Sequence, residues 1–219
     1  RPIFHAILLE KNPQLIEPRA PLCDSSLPLG KFRRSRRVQR QIDHAGPLAI
    51  RIPRQQFSQN RLRPIIAVVV PPVIGTAEYA GNQMPQFSSF IVGELMPSVD
   101  ARYRTRRDPA SRATLGASNG GNIALWLGLN YSNVFGNVAA QSSNIISSIS
   151  SGFQNNPRLN LKLYLDLGAY DIAQLIPLVR NFIPILQSKG YNYRFIEYNE
   201  GHSWGNWRAH VDNGMEIFL

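Results

Sequence analysis

The stretch Arg112-Ala-Thr-Leu-Gly-Ala-Ser118-Asn-Gly-Gly-Asn-Ile-Ala-Leu-Trp126 sets one serine between glycines, at the joint between a short strand and an apolar helix. Pro109 and the charged run before it bound a strand at Arg112 to Gly116, and Asn122 to Leu129 is apolar on nearly all sides, as a helix buried against a sheet requires. Gly116-x-Ser118-x-Gly120 is the spacing of a nucleophile elbow, in which the serine adopts a strained backbone conformation and glycines let strand and helix approach closely. Ser118 is therefore the candidate nucleophile. The same turn aims the N–H of Asn119 and the helix N-terminus at the place where an oxyanion would develop. The short pattern alone is weakly specific, and its context raises it.

In folds built on such an elbow the acid and then the histidine follow the serine, each on a loop after a later strand. Leu159 to Gly168 has the leucine-rich character of a buried strand and runs into Asp171, just past the strand's carboxyl end. Asp166 is the competing carboxylate, but it lies within the strand. Tyr191 to Tyr198 reads as a half-buried strand and leads to Asn199-Glu-Gly-His202-Ser-Trp-Gly, which puts His202 on a loop. His5 and His44 lie in an atypical N-terminal region, and His210 falls on a closing helix that begins near Ser203. A serine hydroxyl needs an imidazole to take its proton, and the imidazole needs a carboxylate to hold its tautomer. Ser118, His202 and Asp171 suit those tasks.

Several spaced motifs extend this pattern: Ile65-Ile-Ala-Val-Val-Val, Thr76-Ala-Glu78-Tyr79, Phe90 to Arg104, the elbow, Val134 to Ser142, Leu163 to Gly168, and Gly201-His202-Ser-Trp204-Gly-Asn-Trp207-Arg208. Across about two thirds of its length the chain resembles the esterase family that contains the enterochelin (ferric siderophore) esterases, esterase D and the mycolyltransferases. The resemblance implies an α/β-hydrolase fold, with a mostly parallel central sheet and helices on both faces. It also implies ester hydrolysis with Ser118 as nucleophile, Asp171 as acid and His202 as base. The implied partner is a small-molecule ester, and no metal or organic cofactor is needed. Glu78, Tyr79 and Trp204 are candidate substrate contacts, the first two on a loop from Ile74 to Pro85. The family also carries a buried strand before the one matching Ile65 to Val70, and its loop supplies a second oxyanion donor. No such strand is legible here. The sheet is therefore expected to lack its first strands, with unpaired edges beside Ile65 to Val70, and turnover to be weak.

Composition agrees with one domain, residues 60–219, preceded by an atypical basic segment, 1–59. The formal charge of +10 is uneven: residues 1–70 hold 13 basic and 4 acidic groups, and residues 71–219 hold 11 and 10. Lys31 to Arg40 supplies most of the excess. Such a cluster can bind phosphates or anionic lipid, and a basic anionic-surface or nucleic-acid binding protein is the rival reading. That segment lacks periodicity and the family's core strands, so it reads as disordered or as the product of a shifted frame, and no specific nucleic-acid partner is expected. Cys23 stands alone, no apolar run reaches the roughly 18–20 residues of a membrane span, and no signal peptide is visible.

Farther on, Phe87, Phe90, Ile91, Glu94, Leu95 and Val99 mark an amphipathic helix. The Ser/Asn-rich stretch 142–156 reads as a flexible flap over the site. A helix should begin near Pro177 and bend at Pro184.

Overall fold

Apolar runs without a polar face belong where helices or other strands cover both sides, and the sheet is assembled from such runs. The computed structural model describes residues 5–10 and 65–216. Among the described residues the strands are β1 (His5–Glu10), β2 (Ile65–Val69), β3 (Arg112–Ala117), β4 (Asn137–Gln141), β5 (Lys162–Tyr170) and β6 (Asn192–Gly201). They form one sheet in the order β2-β1-β3-β4-β5-β6. β3 to β6 pair in parallel and β1 is antiparallel to both its neighbours, so β1 alone runs against the others.

The helices are α1 (Thr76–Ala80), α2 (Met84–Phe90), α3 (Met96–Arg102), α4 (Asn119–Asn130), α5 (Ser147–Asn155), α6 (Leu175–Ser188) and α7 (Trp204–Met215), with a π-helical turn Ile91–Leu95 joining α2 to α3. Alternation along the strands sorts the core into two layers. Ile7 and Leu9 of β1 pack with Tyr79, Phe87, Ile91, Ile123 and Leu127. On the same face Val138, Ala140, Leu163 and Leu165 meet Ile149, Phe153 and Phe182. The opposite face carries Leu8, Leu115, Ala139 and Tyr164 under Met215 and Val211 of α7.

Three expectations are corrected. Among the described residues there is no gap between Ile65–Val69 and the elbow strand: β1 occupies it, bonded from Ala6↔Val69 to Glu10↔Ile65 on one side and from His5↔Gly116 to Leu9↔Arg112 on the other, while the outer edge of β2 pairs with no described strand. His-Ala-Ile-Leu-Leu-Glu can fill a central position because all six residues are buried and its apolar side chains point to both faces. The stretch 142–156 is no flap. Ile145, Ile149 and Phe153 recur every fourth residue and pin α5 into the core, while its serines face outward. Thr76 to Ala80 is a short helix instead of loop.

The remaining elements follow their sequence signals. α6 begins at Leu175, so Pro177 lies in the first turn where no N–H is required, and Pro184 sits inside the helix. Ser203 caps α7 by accepting the Asn206 N–H at 3.3 Å. Buried charge ties the start of β3 to α3: Arg112 Nη2 donates to both carboxylate oxygens of Asp100 at 2.9 and 2.8 Å, and Thr105 Oγ1 donates to Asp100 at 2.5 Å. Glu10, closing β1, receives Arg106 at 3.2 Å and Ser111 Oγ at 3.3 Å.

Candidate active site

The elbow forms for a steric reason. A Cβ on Gly116 would stand 2.2 Å from the carbonyl oxygen of Gly120, so only glycine lets β3 hand over to α4 here. Ser118 takes φ 57° and ψ −124°, a region that L residues rarely adopt. Backbone hydrogen bonds hold it there. Its N–H donates to Gln141 O at 2.9 Å, and its carbonyl accepts from Gly121, Asn122 and Asn144 at 3.0, 3.2 and 3.3 Å. Asn119 opens α4, and its N–H belongs to the first turn, which has no intrahelical acceptor.

Parallel pairing brings the carboxyl ends of β3, β5 and β6 to one edge, so residues far apart in sequence meet. Asp171 directly follows β5, and His202 lies between β6 and α7. His202 Nε2 is 3.0 Å from Ser118 Oγ, and His202 Nδ1 is 2.6 Å from Asp171 Oδ1. With Nδ1 carrying the proton, the ring donates to the carboxylate and accepts from the serine hydroxyl. Asp171 Oδ1 also accepts the Ile172 N–H at 2.7 Å. Burial pushes the Asp171 carboxyl up, but hydrogen bonds from His202, Ser142 and the Ile172 N–H hold it below the usual carboxylate range. Asp171 is therefore ionised at neutral pH.

Asp166, the competing carboxylate, is fully buried and turns to the other face of the sheet, where Gln141 Nε2 and Tyr164 Oη donate to it at 3.0 and 3.1 Å. Desolvation by burial raises it to about 7. His210 stacks flat on Tyr198, with ring centroids 3.6 Å apart.

Of the expected substrate contacts, Glu78 and Tyr79 are corrected. Both are fully buried. The Glu78 carboxylate accepts the N–H groups of Val73, at 2.6 Å, and Ile74, at 3.1 Å, and Tyr79 Oη donates to Val70 O, so they brace the turn after β2. Trp204 is 41 % exposed. The ring touching His202 is Trp207, perpendicular to it at 4.8 Å, a contact that the motif around His202 does not by itself reveal. Tyr170 and Ile172, flanking Asp171, are exposed and add to the apolar rim. His5, set aside as part of the N-terminal segment, is buried opposite Gly116 with Nε2 2.6 Å from Thr114 Oγ1. The cluster Lys31 to Arg40 and Cys23 lie outside the described residues. Among the described residues no group of His, Cys, Asp and Glu could hold a metal ion, and no helix is long and apolar enough to cross a membrane.

A mostly parallel sheet with helices on both faces, and an elbow serine at its carboxyl edge, defines the α/β-hydrolase class. Within it, the chain belongs to the Esterase family, described as "Putative esterase", whose model matches residues 52–216. It is similar to the enterobactin esterase FES of Shigella flexneri, with a TM-score of 0.65 and 18 % identity over 75 % of this chain and 46 % of that one. The ferulic acid esterase AmCE1/Fae1A of Anaeromyces mucronatus is similar at a TM-score of 0.61 and 19 % identity, covering 75 % and 69 % of the two chains. Among curated proteins, "Uncharacterized protein YjcH" of Bacillus subtilis (strain 168) is 25 % identical over 149 residues. The chain spans 62 % of the length of that relative.

Proposed function

We propose that this chain is a serine carboxylic-ester hydrolase of the enterochelin esterase-like type, acting through an acyl-enzyme on Ser118. The observation that carries the reading is His202 bridging Ser118 Oγ and Asp171 Oδ1 at 3.0 and 2.6 Å. Ser118 Oγ attacks the ester carbonyl while His202 Nε2 takes its proton. Asp171 holds the ring and stabilises the imidazolium. The carbonyl oxygen, now negative, receives the Asn119 N–H and the N-terminal field of α4. His202 then returns the proton to the departing alcohol, and water repeats the sequence on the acyl-serine. Family membership and the named activities of the structural neighbours favour a small-molecule ester, and Trp204, Tyr170 and Ile172 offer it an apolar rim.

Hydrolysis of short-chain p-nitrophenyl esters is the direct test. Ser118→Ala and His202→Ala should each lower kcat by at least about a thousandfold, whereas His210→Ala should leave it nearly unchanged. Wild-type turnover by Ser118→Ala would remove this serine from the mechanism.

A further inference from the structure

The side chain of Ser142 is one of the groups that hold the Asp171 carboxyl low, and the mechanism proposed above gives it no part. Ser142 follows the last residue of β4 and is fully buried, with φ 45°, one of two non-glycine residues with positive φ among those described. The other is Ser118. Such a conformation is costly and persists only where the surroundings impose it. Here the Ser142 N–H donates to Asp166 O at 2.9 Å, extending the β4–β5 pairing by one step. Two residues later the Asn144 N–H reaches Ser118 O, and the Asn144 side chain donates to Asn119 Oδ1 at 3.0 Å. The turn after β4 is thus clamped between the elbow and the strand that carries Asp171.

What that turn presents to Asp171 is an alcohol. Oδ1 of Asp171 is taken by His202 and the Ile172 N–H, whereas Oδ2 is buried and has no well-formed hydrogen bond, and Ser142 Oγ is likewise buried without one. Leaving a buried acceptor unpaired is costly, so a donor at hand will be drawn to it. We propose that Ser142 is a positioning residue of the site: its hydroxyl donates to Asp171 Oδ2, fixing the carboxylate plane so that Oδ1 stays directed at His202 Nδ1. The proposal rests on the reading of Ser118, His202 and Asp171 as the reacting unit. The Ser142 side chain is among the groups whose hydrogen bonding holds the Asp171 carboxyl low. Asp166 is the other carboxyl beside this turn: Gln141 and Tyr164 both donate to its Oδ2, its Oδ1 is buried without a well-formed hydrogen bond, and the Asp171→Ala background distinguishes the two acceptors.

Glycine and alanine at position 142 separate the hydroxyl from the backbone. Glycine tolerates positive φ and lacks the hydroxyl, and alanine lacks the hydroxyl and keeps the strain. The expected result for Ser142→Gly is thermal unfolding above that of Ser142→Ala, because both leave Asp171 Oδ2 without its donor and only glycine relieves the strain. Its kcat on p-nitrophenyl acetate should fall about three- to thirtyfold, with KM little changed. The acid limb of its pH–rate profile should move upward, because a carboxylate that loses a donor puts more of its charge on His202. Ser142→Ala should match it kinetically and melt lower. In an Asp171→Ala background the same Ser142→Gly change should have no kinetic effect, since coupled residues are non-additive. Wild-type kcat and pH profile in Ser142→Gly, with impairment confined to Ser142→Ala, would reduce the residue to a backbone role and overturn the proposal. An inactive Ser118→Ala beside a wild-type-like Ser142→Gly sinks this inference alone, whereas an active Ser118→Ala sinks the reading beneath it.

Discussion

Gly116 and Ser118 show how much one residue decides at this site. The Gly120 carbonyl oxygen lies 2.2 Å from where a Gly116 Cβ would be, and that oxygen is main chain in the first turn of α4, so no rotamer can relieve the clash. Gly116→Ala must push α4 off β3 and carry Ser118 away from His202, and shifts of about 1 Å near reacting groups cost on the order of a hundredfold in rate. The expected outcome is at least that loss in kcat with a lower melting temperature, read by ester hydrolysis and thermal unfolding of the same preparation. Wild-type kinetics would mean that the elbow tolerates a side chain. The glycine-serine-glycine spacing was legible in the sequence because it reports a local backbone constraint. The burial of Glu78 and Tyr79 was not, because a polar residue that braces a turn looks in sequence like one that meets a ligand.

Between elements, the most consequential link is the buried pair Arg112 and Asp100. It joins the C-terminal turn of α3 to the first residue of β3 and so fixes the height of the strand that ends at Ser118. Removing one partner leaves the other charge buried and unpaired, at a cost of about 3–5 kcal/mol. Asp100→Ala should therefore lower stability by that order in urea unfolding, far more than Glu197→Ala, whose partner Arg180 is half exposed at the surface. Equal effects of the two would show that the buried pair contributes no more than a solvated one. The strands and helices from Arg112 onward could be read from periodicity, with bounds a few residues different. α5 could not be read from its serines, because composition suggested solvation while three apolar residues at helical spacing, Ile145, Ile149 and Phe153, held it in the core.

For the whole molecule, two buried groups should shape stability against pH with opposite signs. Desolvation holds His5 down to about 3, so the folded state keeps it neutral, and stability falls as pH drops from about 6.5 toward 3. Desolvation raises Asp166 to about 7, so the folded state binds its proton first, and stability rises as pH drops from about 7 toward 4. Each changes stability by about 1.4 kcal/mol per pH unit inside its window. From pH 6.5 to 4 they offset, and below 4 the loss from His5 continues while ionised Asp171 is neutralised. Wild type should therefore show a flat plateau above a steep acid edge in urea midpoints, and Asp166→Asn should start losing stability near pH 6.5. A plateau unchanged in Asp166→Asn would show that these groups do not set the profile. The class of fold, the elbow at Ser118 and the chain order of Ser118, Asp171 and His202 could be read from the chain alone, since strand periodicity, glycine sterics and chain order are properties of neighbouring residues. That His5 to Glu10 fills the sheet between β2 and β3 emerges only from the folded arrangement. Its antiparallel course puts His5 at the elbow edge and Glu10 at the other. Strand pairing joins residues about sixty to a hundred positions apart, and nothing within a six-residue run states which neighbours will bury it.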